Sequence, residues 1–168
     1  MNKLVMLVIS LLLLGCSNNK MMASCDIREN EVSSIVILGR APDLIFSVSL
    51  GRCDFIDFCT RNRKVSRSIV TDNIDSINSI IQSINKLEIE QALSSSCNFY
   101  YEIVSKEGNV YFINNDPLDV MMLVVLRLKT GEYIPMWIDR FSVDIGQQRF
   151  HTSNELMTKL YNLLGYEY

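Results

Sequence analysis

Histidine is almost missing from this chain: among 168 residues, His151 is the only one. Many zinc and iron centres, and much general-base chemistry near neutral pH, draw on imidazole, so those functions have one side chain to rest on. No Cys-x-x-Cys pair occurs, and no Asp-x-Asp-x-Asp-Gly loop with a distal Glu. The common thiolate metal sites and the EF-hand calcium loop are thereby excluded. No serine stands in a nucleophile-elbow pattern. Positive charge is short as well, with 16 Lys and Arg against 19 Asp and Glu. A general nucleic-acid binder needs a basic surface, so that class is not expected. No apolar run reaches the ~20 residues of a membrane-spanning helix. Val120 to Leu126 is strongly apolar, but Asp119 and Arg127 bracket it, which suits a buried strand or helix. Internal repeats, linkers and low-complexity tracts are absent too, leaving one domain as the simplest organisation.

What is present is concentrated at the start. Met1, Asn2 and Lys3 form a charged head, and Leu4 to Leu14 is apolar except for Ser10. Leu13-Leu14-Gly15-Cys16 follows, then polar Ser17-Asn18-Asn19-Lys20. A charged head, a short apolar centre and a small residue before the cut make a secretory signal. The cysteine directly after the small residue resembles the lipobox of bacterial lipoproteins. The resemblance covers residues 1 to about 20 and implies a processing class rather than a fold. It implies that Leu13 is the outer apolar residue, that Gly15 is the small one, and that Cys16 is the thiol joined to diacylglycerol. The chain is then cut before Cys16 and held on a membrane by its lipid. In enterobacterial lipoproteins an Asp after the cysteine retains the protein at the inner membrane. Ser17 therefore implies an outer-membrane address facing the periplasm. Residues 1–15 are read as the signal peptide, 16–24 as a tether and 25–168 as the domain.

Lys3 leaves with the signal, so 15 basic and 19 acidic side chains give the mature chain a formal charge of −4. Its 153 residues suffice for one sizeable core. Beside Cys16, the cysteines are Cys25, Cys53, Cys59 and Cys97, an even number that suggests two disulfides in an exported chain. Three pairings are open; Cys25 with Cys53 and Cys59 with Cys97 is the favoured one. If a strand runs through 53 to 59, those two thiols lie about 20 Å apart and do not bridge, whereas a turn would bring them together.

Alternation predicts strands at Ser34 to Leu38 and Leu44 to Leu50, with a turn at Ala41-Pro42-Asp43. Hairpins are expected from Phe99–Val104 with Asn109–Ile113, and from Leu123–Leu128 with Tyr133–Ile138. A helix from Asp116 through Leu126 is the alternative for the first strand of that second hairpin. Pro135 should place its strand at an edge or mark a bulge. Phe141 to Ile145 adds a short strand. Ile74, Ile77, Ile80, Ile81, Ile84 and Leu87 recur at helical spacing, so a helix is expected over about 72–87, capped by Thr71 or Asp72. A second is expected over 153–164, with Thr152 opening a capping box to Glu155 and Gly165 ending it. The expected class is α+β: a mostly antiparallel sheet with two amphipathic helices.

Four candidate sites stand out. The cluster Arg61, Arg63, Lys64 and Arg67 puts four positive charges in seven residues of an acidic protein and could receive an anionic partner. His151, just before a helix, reads as a surface residue more than a catalyst. Asp116 and Asp119, with Asn114 and Asn115, offer oxygens to a hard cation, but a turn and a cap account for them equally well. Asp139 and Asp144, five residues apart along a strand, fall on opposite faces and read as solvated. No catalytic set, metal or cofactor is expected. The expected role is non-enzymatic: a lipid-anchored envelope protein that binds another protein, as immunity proteins and hydrolase inhibitors do. The alternative is a structural or assembly lipoprotein of the envelope.

Overall fold

The computed structural model describes residues 27–44, 50–92, 101–106, 109–114, 119–146 and 148–168; of Cys53, Gln91, Ala92 and the strands within 101–114 only the backbone is described. A 3-10 turn at Glu29–Glu31 leads into β1 (Val32–Arg40). Then come α1 (Arg52–Arg61), β2 (Ser66–Thr71), α2 (Ile74–Asn85), β3 (Ile89–Ala92), β4 (Tyr101–Lys106) and β5 (Asn109–Asn114). β6 (Met122–Leu128), β7 (Tyr133–Ile138), β8 (Ser142–Ile145), β9 (Gln148–His151) and α3 (Asn154–Leu164) complete the order. Seven strands form one antiparallel sheet in the order β2-β1-β6-β7-β8-β9-β3, and β4 pairs with β5 separately. The α+β class holds; the two expected helices become three among the described residues, because α1 was not foreseen.

Both faces of the sheet are covered. Ile35 and Ile37 of β1, Val124 and Leu126 of β6 and Met136 of β7 pack with Ile77, Ile80, Ile81 and Ile84 of α2 and Leu156, Met157, Leu160 and Leu164 of α3. The alternate residues Val36, Leu38, Leu123 and Val125 pack with Phe55 and Cys59 of α1. A strand buried on both sides has no solvent phase in its sequence. That is why Val120 to Leu126 reads as an unbroken apolar run while forming a strand, and the helix alternative for 116–126 fails at β6.

Caps and turns settle one residue away from several expectations. Thr71 still pairs with Ile35 as the last residue of β2, so the cap of α2 is Asn73, whose side chain accepts from Ser76 N at 2.9 Å. Thr152 N donates to Phe141 O at 2.7 Å and still belongs to the sheet, so Ser153 caps α3 through Leu156 N. Gly165 ends α3 in the left-handed conformation, φ 75°. Pro135 sits in an inner strand without a bulge, contrary to expectation. The β7–β8 ladder spans only Met136 to Ile138, so Pro135 lies just beyond it and costs no ladder bond there. The expected strand at 44–50 falls largely outside the described residues. At the front, Ile27 is buried and exchanges two hydrogen bonds with the side chain of Asn85, at 3.1 and 2.9 Å.

A Cβ on Gly165 would suffer strain at this φ and would stand 2.8 Å from the Arg67 guanidinium. Gly165→Ala should therefore lower stability by about 1–2 kcal/mol, read from urea unfolding.

Candidate functional site

The buried charge of the molecule gathers on the α1 side of the sheet. Cross-strand register lines up Leu38, Leu123, Trp137, Asp144, Arg149 and Gln91 across β1, β6, β7, β8, β9 and β3. This row starts apolar beneath α1 and turns ionic at β8. Arg52, Phe55 and Cys59 stand at i, i+3 and i+7 on α1, one stripe of the helix. Phe55 and Cys59 enter the apolar part, and Arg52 reaches the ionic part from the helix's first turn.

There the Asp144 carboxylate is clasped from two sides. Arg149 donates to it through Nε at 2.7 Å and Nη2 at 2.9 Å, and Arg52 donates a further Nη2 bond. All three side chains are less than a tenth exposed. The Arg52 guanidinium also lies 6.0 Å from the Trp137 ring centroid. The hydrogen bond to Asp144 raises the Arg149 pKa above its ordinary value, although burial opposes this. A carboxylate receiving three charge-assisted bonds is a strong staple. It ties α1 to the β8–β9 hairpin.

Two more polar clusters have the same character. Arg40, 2% exposed and in phase with Val36 and Leu38, donates to Asp119 Oδ2 at 2.8 Å, while Asp119 Oδ1 accepts Leu50 N at 3.0 Å. Between α2 and α3, Lys159 Nζ donates to Ser83 Oγ and to Glu155 Oε1, both at 2.7 Å, and Ser83 Oγ lies 3.0 Å from Glu155 Oε1. Serine beside lysine is the atom set of a Ser–Lys nucleophile. Ser83, however, is 1% exposed and closed between two helices, so the set works as a helix clamp.

The expected sites come out as follows. The basic cluster divides. Arg61 pairs with Asp57 one turn back at 2.9 Å. Arg67 donates to the carbonyls of Leu164 and Gly165 and lies 4.3 Å from the Tyr166 ring, closing the end of α3. Arg63 and Lys64 occupy the exposed turn between α1 and β2. His151 is exposed, ends β9 and lies 3.9 Å from Glu90. Asp119 accepts from the Arg40 guanidinium and from Leu50 N, and 115–118 lie outside the described residues. Asp139 and Asp144 are buried, not solvated. The Asp139 carboxyl accepts Phe141 N at 2.6 Å and Ser142 N at 2.5 Å, which fixes the β7–β8 turn. Burial raises its pKa above the ordinary value, against these two bonds and the nearby Arg149.

Cys59 carries a free, buried thiol, pushed by burial up to about 12. Cys53 shares α1 with it; six helical residues rise ~9 Å, so the two do not bridge. Cys16, Cys25 and Cys97 lie outside the described residues. Among the described residues no group of His, Cys, Asp and Glu is arranged to hold a metal ion, and no helix is long and apolar enough to cross a membrane.

Read from the sequence alone, Arg40, Arg52 and Arg149 are passed over, and Asp144 is taken as solvated. A signal exists for Arg40, a polar residue in phase with the inward Val36 and Leu38 of an apolar strand. No known family model, characterised protein or solved structure matches the chain.

Asp144→Ala strands two buried guanidiniums and should cost about 3–5 kcal/mol. Emission of Trp137, the only tryptophan, should shift to the red as the first turn of α1 lifts. Asp139, with its folded pKa raised, binds its proton more tightly folded than unfolded. Its contribution to stability therefore falls as pH rises from the ordinary carboxylate value through the raised one. Asp139→Asn keeps the oxygen acceptor and lacks the charge. The stability difference between wild type and this variant should change with that sign in melting curves taken from pH 4 upward.

Proposed function

We propose that this chain is a lipid-anchored protein of the bacterial envelope that acts by binding another protein, in the manner of immunity proteins and inhibitors of secreted hydrolases, without catalysing a reaction. The observation that carries the reading is the order of the first sixteen residues: charged head, short apolar run, Gly15 and then Cys16. A thioether-linked diacylglycerol supplies two chains, and each buried methylene adds about 0.8 kcal/mol to membrane affinity, enough for lasting attachment. Between Cys16 and the buried, hydrogen-bonded Ile27 the chain is long enough to span about 36 Å when extended. The domain then works beside the bilayer and not in it.

The binding role draws support from how the polar side chains are used. Asp144, Asp119, Asp139, Ser83 and Lys159 each hold two elements of the fold together, and each is committed to that. Recognition is left to turns, sheet edges and exposed side chains such as Phe141, 73% exposed on the pinned β7–β8 turn. Cells grown with an alkyne fatty acid should yield a labelled wild-type chain in the membrane fraction. Cys16→Ser should be unlabelled and either released or uncleaved. An unlabelled wild-type chain would remove the anchor, and with it the envelope reading.

A further inference from the structure

We propose that the β2 edge of the sheet pairs with β2 of a second copy of this chain, antiparallel about a twofold axis through Ser68, and that the basic cluster Arg61, Arg63 and Lys64 there meets Asp72 and Asp75 of that copy. Among the described residues β2 has β1 as its only paired strand. Ala41 N donates to Val65 O at 2.9 Å, which continues the β1–β2 ladder by one step. Hydrogen-bonded pairs alternate along an antiparallel ladder, so 65, 67, 69 and 71 exchange bonds with β1. Residues 66, 68 and 70 then point their peptide groups toward the open side. Ser66 N is taken by Asn62 O, but the Ser66 carbonyl and both peptide groups of Ser68 and Val70 face outward.

The two sheet edges differ in how they are defended. β3 has four residues, a register shift between Ile89 and Gln91, and the charge of Glu90, all of which blunt an edge. β2 has six residues in unbroken register, without proline or bulge, and ends in Ile69-Val70-Thr71. Its one charge, Arg67, is directed to the carbonyls at the end of α3.

The occupant follows from charge. The chain around β2 runs from Arg61, Arg63 and Lys64 through a near-neutral strand to Asp72 and Asp75, all five exposed. Two such strands laid antiparallel with Ser68 against Ser68 place Arg67 opposite Ile69 and Ser66 opposite Val70. Beyond the strand ends the chain turns, but antiparallel pairing still brings the basic end of one β2, with Lys64, toward the acidic end of the other, with Asp72 and Asp75. Within the strands no like charges meet. The sequence is thus complementary to itself under a twofold operation that continues the sheet.

The test uses the purified full-length chain. Ser68→Cys treated with copper phenanthroline should give a disulfide-linked band of twice the monomer mass on a non-reducing gel. Wild type and Thr130→Cys, whose added thiol lies on the β6–β7 turn, should not. Adding Lys64→Glu to Ser68→Cys should weaken self-association about tenfold, and adding Asp72→Lys to both should restore it. Absence of the linked band would overturn the proposal, and so would a yield indifferent to the charge swap. So would a monomer whose β2 edge instead takes up an unrelated extended peptide.

Discussion

Everything in this fold turns on a sheet that is apolar on both faces but, among the described residues, covered unequally. On one face α2 and α3 supply a broad apolar surface, nine buried residues including Tyr161. On the other, α1 brings Phe55 and Cys59, with Ile56 and Phe58 partly buried beside them. At roughly 25 cal/mol per Å², two buried side chains fix a ten-residue helix weakly in position. The Arg52–Asp144–Arg149 clasp supplies what that packing lacks. It attaches the first turn of α1 to a specific point on β8 and so sets which way the helix lies across the strands.

Ion clusters of this kind are poor sources of net stability, because desolvating three charges offsets most of their attraction. Their effect is on position. Once Arg149 is bound to both oxygens of Asp144, any displacement of α1 breaks the bond that Arg52 donates to the same buried carboxylate. The Arg40–Asp119 pair does the same at the other end of the face, where the Asp119 carboxylate also holds Leu50 N just before α1 begins. Two ionic staples flank a small apolar contact, and the contact needs to be only small because the staples are there.

The legibility of the sequence followed the same asymmetry. α2 and α3 were readable because a helix with one thick apolar stripe and one wet face has a strong period. The β6–β7 hairpin was readable from the turn residues Lys129-Thr130-Gly131-Glu132. α1 was not, because its inward stripe is Arg52, Phe55, Cys59, in which an arginine and a cysteine stand where a periodicity reading looks for leucine. β3 and β9 are four residues each, too short to alternate visibly, and β2 begins inside a basic cluster that reads as loop. Asp144 was read as solvated because the partners that bury it come from β9 and from α1, the second about ninety positions away. The clasp is a tertiary fact, and no local window contains it.

With helices packed on both faces of the sheet, its rims are among the surfaces left for partners, and the two rims differ. The β3 rim carries Glu88 and Glu90 and a break in register; the β2 rim carries a regular ladder between a basic and an acidic end. An edge contact made of a few backbone bonds is weak between molecules free in solution. Under the proposed lipid anchor, two chains would share a thin layer instead of a volume. Their effective concentration rises accordingly, without any new contact. On the proposed lipid-anchored reading, confinement of the domains to a plane would favour the proposed edge pairing, because it raises the frequency with which two β2 edges meet.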